Sequence, residues 1–501
     1  MKHQINHWRR LPGVIVLIAA ILFFCQGDAK TNDMRDSLDF ESKLDSYIQQ
    51  VMETHEIPGL AIGIIKHAEL KYAKGFGVKS IKTYEPVTTK SLFHTASVSK
   101  PFLATAIMQL AERGKLNIDD SVVRHLPYFK LNDDRYRKIT LHQLLTHTSG
   151  LPDIRDYHWD QPEYDDESLE RYVRNLQDVE LLFDPGKRWS YSNMAFEILG
   201  DVIAKVSGQN FEAYIENNIL IPLEMQSSTF LKTEAAEELC TCPHVFKLIP
   251  STSGTYPYHR AHAPSSNLYS NVIDLAKWAI ANLNRGVYRE QTLLLASTYN
   301  SLWENQTDIG NNEGIGYSWF LGKHRGRQTV WHGGRDTGFC SQFVMLPEDS
   351  SAVILLCNYD CAPLDAIKDA LLDLMAGYEP VSPKTPMIIP LGKCLLENDI
   401  QATIALYKEL RSNRLYQYNF QEEQLNFLGY QLLGMNRTSD AVEIFKLNAE
   451  TYPDAFNTYD SLGEAYMVLG NNKSAIKNYE KSLKLNPQNL NAIEKLKALR
   501  K

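Results

Sequence analysis

The sequence has little cysteine and no excess of basic residues. Only 7 of its 501 residues are cysteine, and the "CTC" pair at 240–242 lacks the second pair or histidine cluster of a zinc site. Lys and Arg number 52 against 60 Asp and Glu, which gives a net charge of −8 at pH 7. The sequence therefore lacks the basic footprint of a nucleic-acid-binding protein and predicts no metal site.

Long apolar runs are scarce as well, because only one occurs, from Val14 to Cys25. It follows three basic residues and is shorter than the roughly 20 apolar residues of a transmembrane helix. Small residues up to Ala29 then suit cleavage by a signal peptidase. We therefore expect a signal peptide over residues 1–29 and export to the periplasm or the extracellular space. An uncleaved anchor and a lipid on Cys25 are the alternatives, and no other membrane attachment is expected.

What is present indicates two structural units. Residues 30–378 mix helical and strand patterns, with strand-like segments at both ends and helices between them, which favours an α+β sheet whose terminal strands pair. The segment "EPVSPKTPMIIP", residues 379–390, holds four prolines and is typical of an interdomain linker. Residues 391–501 are helical in pattern, and we expect them to form a second, all-α unit.

A repeat within residues 391–501 defines that second unit. Two glycines, two alanines, two aromatic residues and two prolines recur at an offset of 34 residues: Gly429 and Gly463, Ala441 and Ala475, Phe445 and Tyr479, Pro453 and Pro487. This period and pattern resemble tetratricopeptide repeats, which form an all-α solenoid. The resemblance implies a surface for a protein partner.

The first motif with chemical content is "LFHTASVSKPFLATAIMQLAERGKL", residues 92–116. Ser97 and Lys100 are three apart and therefore share a helix face. Pro101 suits the first helical turn, so Ser97 lies at or just before a helix N-terminus, where backbone N–H groups favour an oxyanion. A partly desolvated Lys100 has a lowered pKa and can serve as a base for the serine.

Two further motifs stand later in the chain. Tyr191-Ser192-Asn193 follows a Pro-Gly turn and precedes an apolar helix, so its side chains are expected on a loop entering that helix. His332-Gly333-Gly334 follows a strand that we expect to end at Trp331, and its glycines allow a backbone to approach a ligand closely.

In this order, the three motifs resemble those of the serine β-lactamase and penicillin-binding-protein superfamily, in particular its class C β-lactamase-like serine hydrolases. The flanking stretches "LTHTSGLPD", "FDPGKRWSYSN" and "SSNLYSNVIDLAKWA" are also similar to that family. The resemblance covers about residues 40–377. It implies an α/β sandwich of the β-lactamase/transpeptidase type with a helical subdomain, and an active site between the two. It also implies that neither a metal nor an organic cofactor is needed.

The resemblance further implies the roles of individual residues. Ser97 is expected to be the acylated nucleophile, and Lys100 the general base, with Tyr191 sharing that role or returning the proton to the leaving group. Asn193 is expected to bind the substrate. The backbone N–H groups of Ser97 and Arg335 are expected to form the oxyanion hole.

The residues around Gly333 and Gly334 depart from the family at one point. Relatives that bind the carboxylate of a β-lactam typically carry Lys where His332 stands, and a histidine is mostly neutral at pH 7. This favours an esterase or a D-amino-acid peptidase, of the D-alanyl-D-alanine carboxypeptidase kind, over a strong β-lactamase, unless Arg335 supplies the cation. The substrate is then an ester, amide or peptide. The alternative is a non-catalytic, ligand-sensing or scaffold protein that acts through its repeats.

Overall fold

The computed structural model describes residues 39–500. The predicted signal peptide and Cys25 lie outside that range. Between residues 39 and 500, no helix combines the length and apolar character needed to cross a membrane.

The centre of the fold is an eight-stranded antiparallel sheet, to which four two-stranded pairs are added. In chain order the strands are β1 (Gly59–Lys66), β2 (Glu69–Gly77), β3 (Phe93–His94), β4 (His244–Lys247), β5 (Ile249–Thr252), β6 (Tyr269–Ser270), β7 (Val287–Tyr288), β8 (Gln291–Thr292), β9 (Thr307–Gly310), β10 (Glu313–Ile315), β11 (Phe320–His324), β12 (Arg327–Asp336), β13 (Phe339–Leu346), β14 (Ser351–Cys357), β15 (Thr385–Pro386) and β16 (Tyr418–Asn419). The order in the large sheet is β2-β1-β14-β13-β12-β11-β10-β9.

Helices surround this sheet and form the C-terminal region. They are α1 (39–55), α2 (Lys100–Glu112), α3 (Val122–His125), α4 (Leu141–Leu145), α5 (Ser168–Arg174), α6 (Asn193–Ser207), α7 (Phe211–Ile215), α8 (Ala263–Ser266), α9 (Val272–Leu283), α10 (Ala296–Leu302), α11 (Leu364–Met375), α12 (Ile388–Glu397), α13 (Ile400–Asn413), α14 (Glu422–Gly434), α15 (Thr438–Thr451), α16 (Phe456–Val468), α17 (Asn472–Leu485) and α18 (Leu490–Leu499).

The first and the last strand of the large sheet along the chain, β1 and β14, pair as the sequence predicts. β1 runs antiparallel to β14, with Leu60 opposite Cys357 and Ile65 opposite Ala352. Apart from Lys66 and Ser351 at their ends, both strands consist of apolar residues, which fits a sheet that is covered on both faces. Side chains on one face join a core with α9 and the helical subdomain, and those on the other face join a core with α1 and α11.

Strand β12 is longer than the sequence analysis expects. The predicted end at Trp331 is wrong, because β12 continues to Asp336 and carries the His332-Gly333-Gly334 motif inside the strand. Its pairing with β13 persists to Asp336 opposite Phe339, whereas its pairing with β11 stops at Trp331 opposite Phe320. The motif therefore has one edge that β11 leaves uncovered.

The C-terminal helices pack onto the first unit. The expected linker, residues 379–390, is not a free connector, since β15 pairs with β16 and α12 already begins at Ile388. Met387, Ile388 and Ile389 are buried. A single apolar core joins α1 and α11 to the helices α12–α16.

The repeated glycines allow paired helices of the solenoid to approach. A Cβ placed on Gly429 would lie 2.5 Å from the ring of Phe445, the aromatic residue of the same repeat. A Cβ placed on Gly434, at the end of the same helix, would meet no atom within 4 Å.

We therefore expect Gly429→Ala to lower the free energy of unfolding by about 1–3 kcal/mol, because overpacking outweighs the better helix propensity of alanine. Gly434→Ala should be neutral or stabilising by up to about 1 kcal/mol, since only the propensity changes. Chemical denaturation followed by circular dichroism measures both. Equal stabilisation by the two substitutions would show that the helix contact does not require glycine.

Candidate active site

Ser97 lies on a tight turn between β3 and α2. The turn is a 3-10 helix over Ala96–Ser99, in which Ala96 has a φ of 49°, and Pro101 occupies the first turn of α2 as expected. The hydroxyl of Ser99 donates to the carbonyl of Ala96 at 2.6 Å and accepts from the N–H of Leu268 at 2.9 Å. These bonds hold the strained turn that presents Ser97 at the helix N-terminus.

Lys100 is fully buried beside Ser97 and contacts three oxygens. Its Nζ lies 2.8 Å from Ser97 Oγ, 2.6 Å from Asn193 Oδ1 and 2.8 Å from the carbonyl oxygen of Ser265. Burial lowers the pKa of Lys100 to about 8, although nearby carboxylates oppose that shift. A neutral amine has two N–H groups for Asn193 and Ser265, which leaves its lone pair for the Ser97 hydroxyl.

Tyr191 completes the group around Ser97. Its ring stacks on His147 at a centroid distance of 4.3 Å, and Lys100 Nζ lies 5.1 Å from its centroid. Burial raises the pKa of Tyr191, and a hydrogen bond with Ser97 opposes the shift. The hydroxyl is therefore protonated near neutral pH and is suited to donate a proton.

Asn193 is held by a residue to which the sequence analysis assigns no role. Asp153, at the end of the "LTHTSGLPD" stretch, accepts from the Asn193 backbone N–H at 2.8 Å and from its Nδ2 at 3.0 Å. These bonds direct Oδ1 of Asn193 toward Lys100. The place of Asp153 in a stretch that is similar to the family is the signal that the sequence offers.

The glycine motif brings β12 against the turn that carries Ser97. A Cβ on Gly334 would lie 2.3 Å from the carbonyl oxygen of Thr95 and 2.9 Å from the backbone nitrogen of Ser97, so only glycine fits this approach. A Cβ on Gly333 would instead meet the side chain of Gln342, on the opposite face of the strand. The structure thus brings Gly334 to Ser97 and directs position 333 away from it.

His332 shares the Gly334 face of β12. It is 1% exposed, its Nδ1 donates to the carbonyl of Gly333 at 2.7 Å, and its Nε2 has no hydrogen-bond partner within residues 39–500. Burial, together with the charge of Lys100, lowers the pKa of His332 to about 3. The imidazole is therefore neutral.

The Arg335 side chain does not supply a cation to the site. Residues alternate between the faces of a strand, so the side chain of Arg335 leaves on the face opposite to His332. Its guanidinium donates to the carbonyl oxygen of Asp360. The expectation for its backbone N–H in the oxyanion hole stays a prediction.

A partly buried pair also joins the segment before Ser97 to β12. Asp336 lies 2.7 Å from His94 Nε2, and its charge acts on Lys100. Sequence reasoning missed both residues, because 242 positions separate them.

Comparison with known proteins supports the two units that the sequence predicts. A Beta-lactamase family model matches residues 44–377, and a Tetratricopeptide repeat model matches residues 456–489. "Protein flp" of Staphylococcus aureus (strain COL) is 27% identical over 329 residues, which are 64% of this chain and 63% of that protein. "Esterase EstB" of Burkholderia gladioli is 31% identical over 221 residues, which are 40% of this chain and 54% of that protein. The chain thus spans less than two thirds of the length of these curated relatives.

A solved structure is also similar. The octameric penicillin-binding protein homologue from Pyrococcus abyssi is 28% identical, and the match covers 71% of this chain and 81% of that one with a TM-score of 0.62.

The two glycines of β12 offer a matched test of the site geometry. Gly334→Ala should slow the labelling of Ser97 by a fluorophosphonate on the order of 100-fold, because displacement by about 1 Å misaligns the reacting groups. Gly333→Ala should slow it much less, since only the Gln342 side chain has to move. Labelling rates by mass spectrometry measure the difference. Equal effects of the two variants would contradict the assignment of Gly334 to the nucleophile's side.

Proposed function

Because the chain belongs to the beta-lactamase family, we propose that it is an acyl-enzyme-forming serine hydrolase of neutral esters, amides or D-amino-acid peptides. The observation that carries this proposal is the buried Lys100 amine, held by Asn193 and Ser265 with its third contact on Ser97 Oγ.

The first half of the reaction follows from these contacts. Ser97 Oγ attacks the substrate carbonyl carbon while its proton passes to Lys100 Nζ. The carbonyl oxygen becomes an oxyanion, which the N–H of Ser97 is placed to stabilise at the start of α2. The intermediate then collapses, the bond to the leaving alcohol or amine breaks, and an ester to Ser97 remains.

Tyr191 is the proton donor for the leaving group in this scheme. Burial raises its pKa, whereas burial lowers that of Lys100 to about 8, so the two environments separate the acid from the base. Tyr191 protonates the leaving group and regains the proton from Lys100. Water then attacks the acyl-enzyme with Lys100 as base, which releases the acid product and Ser97.

The charges around the site favour substrates without a carboxylate. His332 is neutral. The guanidinium of Arg335 points away from the site and donates a hydrogen bond to the backbone carbonyl oxygen of Asp360. The carboxylates whose charges act on Lys100 are those of Glu197, Asp336 and Asp153. The similarity to a protein named an esterase supports ester substrates.

We also propose that the protein is exported through residues 1–29, to the periplasm or the extracellular space. The helical repeats are proposed to contact a protein partner, because the matched repeat model belongs to a class of interaction modules.

A fluorophosphonate should add its mass to the peptide that contains Ser97 in the folded protein and not in the denatured protein. Ser97→Ala should abolish both labelling and turnover of a p-nitrophenyl ester, because no other group replaces the nucleophile. A folded wild-type protein that neither labels nor turns over esters would support the non-catalytic alternative. Labelling that persists in Ser97→Ala would move the nucleophile elsewhere.

His332→Lys should raise the ratio of kcat/KM for nitrocefin to that for a neutral ester by on the order of tenfold, since each 1.4 kcal/mol of charge-assisted binding gives about that factor. Gln328→Lys is the matched control, because it adds the same charge at an exposed position of the same strand. An unchanged ratio in His332→Lys, with ester turnover preserved, would show that position 332 does not set the charge preference.

A further inference from the structure

Glu197 is a buried carboxylate that the proposed mechanism does not use. It lies one turn after Asn193 on α6 and has no exposed area. Its Oε1 accepts from Ser265 Oγ at 2.6 Å and from His262 Nδ1 at 3.3 Å, and its Oε2 accepts from the Ser265 backbone N–H at 3.1 Å. A carboxylate in an apolar interior is costly unless such bonds satisfy it, so its presence calls for a role.

The bonds of Glu197 end at the residue that holds the catalytic amine. Ser265 is bonded to the carboxylate through its N–H and its hydroxyl, and its carbonyl oxygen accepts from Lys100 Nζ at 2.8 Å. Ser265 lies on α8, a single helical turn that packs tightly on α6: a Cβ on Gly200 would lie 2.4 Å from Pro264 Cγ. Glu197 thereby links α6, which carries Asn193, to the carbonyl on α8.

We propose that Glu197 is a positioning residue of the reaction, which fixes the Ser265 carbonyl so that Ser265 and Asn193 together orient the Lys100 amine toward Ser97. This inference rests on the proposed function, because it assigns Glu197 a part in the same proton transfer. Glu197 contacts neither Ser97 nor the open edge of β12 in this scheme, so it is not itself a catalytic residue.

The charge of Glu197 has a separable effect on the same amine. Of the carboxylates that oppose the lowering of the Lys100 pKa by burial, Glu197 acts most strongly, ahead of Asp336 and Asp153. The other groups that face Lys100 carry no charge near neutral pH: His147 and His332 have lowered pKa values, and Tyr191 has a raised one.

The groups that face Glu197 define its own titration. Burial raises its pKa, while hydrogen bonds from His262 and Ser265 and the charge of Lys100 lower it. Burial raises the pKa values of Tyr157 and Tyr172, and the negative charge of Glu197 raises them further. Substitution by Gln, which removes the charge, and by Asp, which keeps it, separates the effect of this charge from that of the hydrogen bonds.

Glu197→Gln removes the charge and replaces one of the two acceptor oxygens by an NH2 group, which can only donate, so the side chain can no longer accept from both the N–H and the hydroxyl of Ser265. We expect kcat for a p-nitrophenyl ester to fall on the order of tenfold, because the amine is less well oriented. KM should change less than about twofold, because Glu197 does not contact the substrate. The acid limb of kcat/KM, with a wild-type midpoint near the Lys100 pKa of about 8, should move to lower pH. The expected shift is about one unit, since an opposite charge no longer favours the ammonium form.

Glu197→Asp keeps the charge but shortens the side chain, so that its carboxylate no longer reaches Ser265 in the same geometry. It should therefore restore the midpoint of the acid limb while kcat stays low. Asp201→Asn is the matched control, because Asp201 is a buried carboxylate on the same helix that bonds Tyr128 at 2.7 Å. It should leave the midpoint at its wild-type value.

Unchanged kcat and midpoint in folded Glu197→Gln would overturn the inference while Ser97 labelling in the wild type still supports the proposed function. Failure of wild-type labelling would instead overturn the proposed function. If Glu197→Gln does not fold, Ser265→Ala decides, because it removes one of the two bonds and keeps the carbonyl. A fall in kcat of about threefold or more at constant KM supports positioning, and an unchanged kcat overturns it.

Discussion

The active site depends on the burial of a single amine. Lys100 has no exposed area, and the oxygens of Asn193 and Ser265 take the place of its hydration shell. Because a buried ammonium is costly, the pKa of the group falls to about 8, and a fraction of the molecules on the order of a tenth holds it neutral at pH 7. The burial that would make a structural lysine destabilising is therefore what suits this one to accept the Ser97 proton in the proposed reaction.

The proposed reaction requires access for a substrate as well as a buried amine. The pairing of β12 leaves an open edge next to the site. β11 stops pairing where Trp331 faces Phe320, whereas β13 accompanies β12 to its end. The uncovered edge lies beside Ser97 because Gly334 lets the strand approach the Ser97 nitrogen. One strand is thus held by β13 on one side and left open by β11 on the other, next to the Ser97 turn.

The grouping of Ser97, Lys100, Tyr191 and Asn193 could be predicted from the sequence, since these residues lie in short local patterns that resemble those of a known family, and the structure brings them together. The predicted end of β12 at Trp331 is wrong. Glycines usually weaken a strand, but pairing with β13 maintains β12 through Gly333 and Gly334. In a strand that continues to Asp336, the alternation of side chains directs Arg335 away from the site.

The supporting carboxylates escaped prediction for a different reason. Asp153, Glu197 and Asp336 act across 40, 68 and 242 positions of sequence on Asn193, Ser265 and His94, respectively. No local period or spacing encodes such contacts, because packing of α6 against α8, and of β12 against the Ser97 turn, creates them. The residues of the proposed chemistry therefore stand in the motifs, whereas the burial that lowers the pKa of the amine and the carboxylates that oppose this shift arise only in the fold.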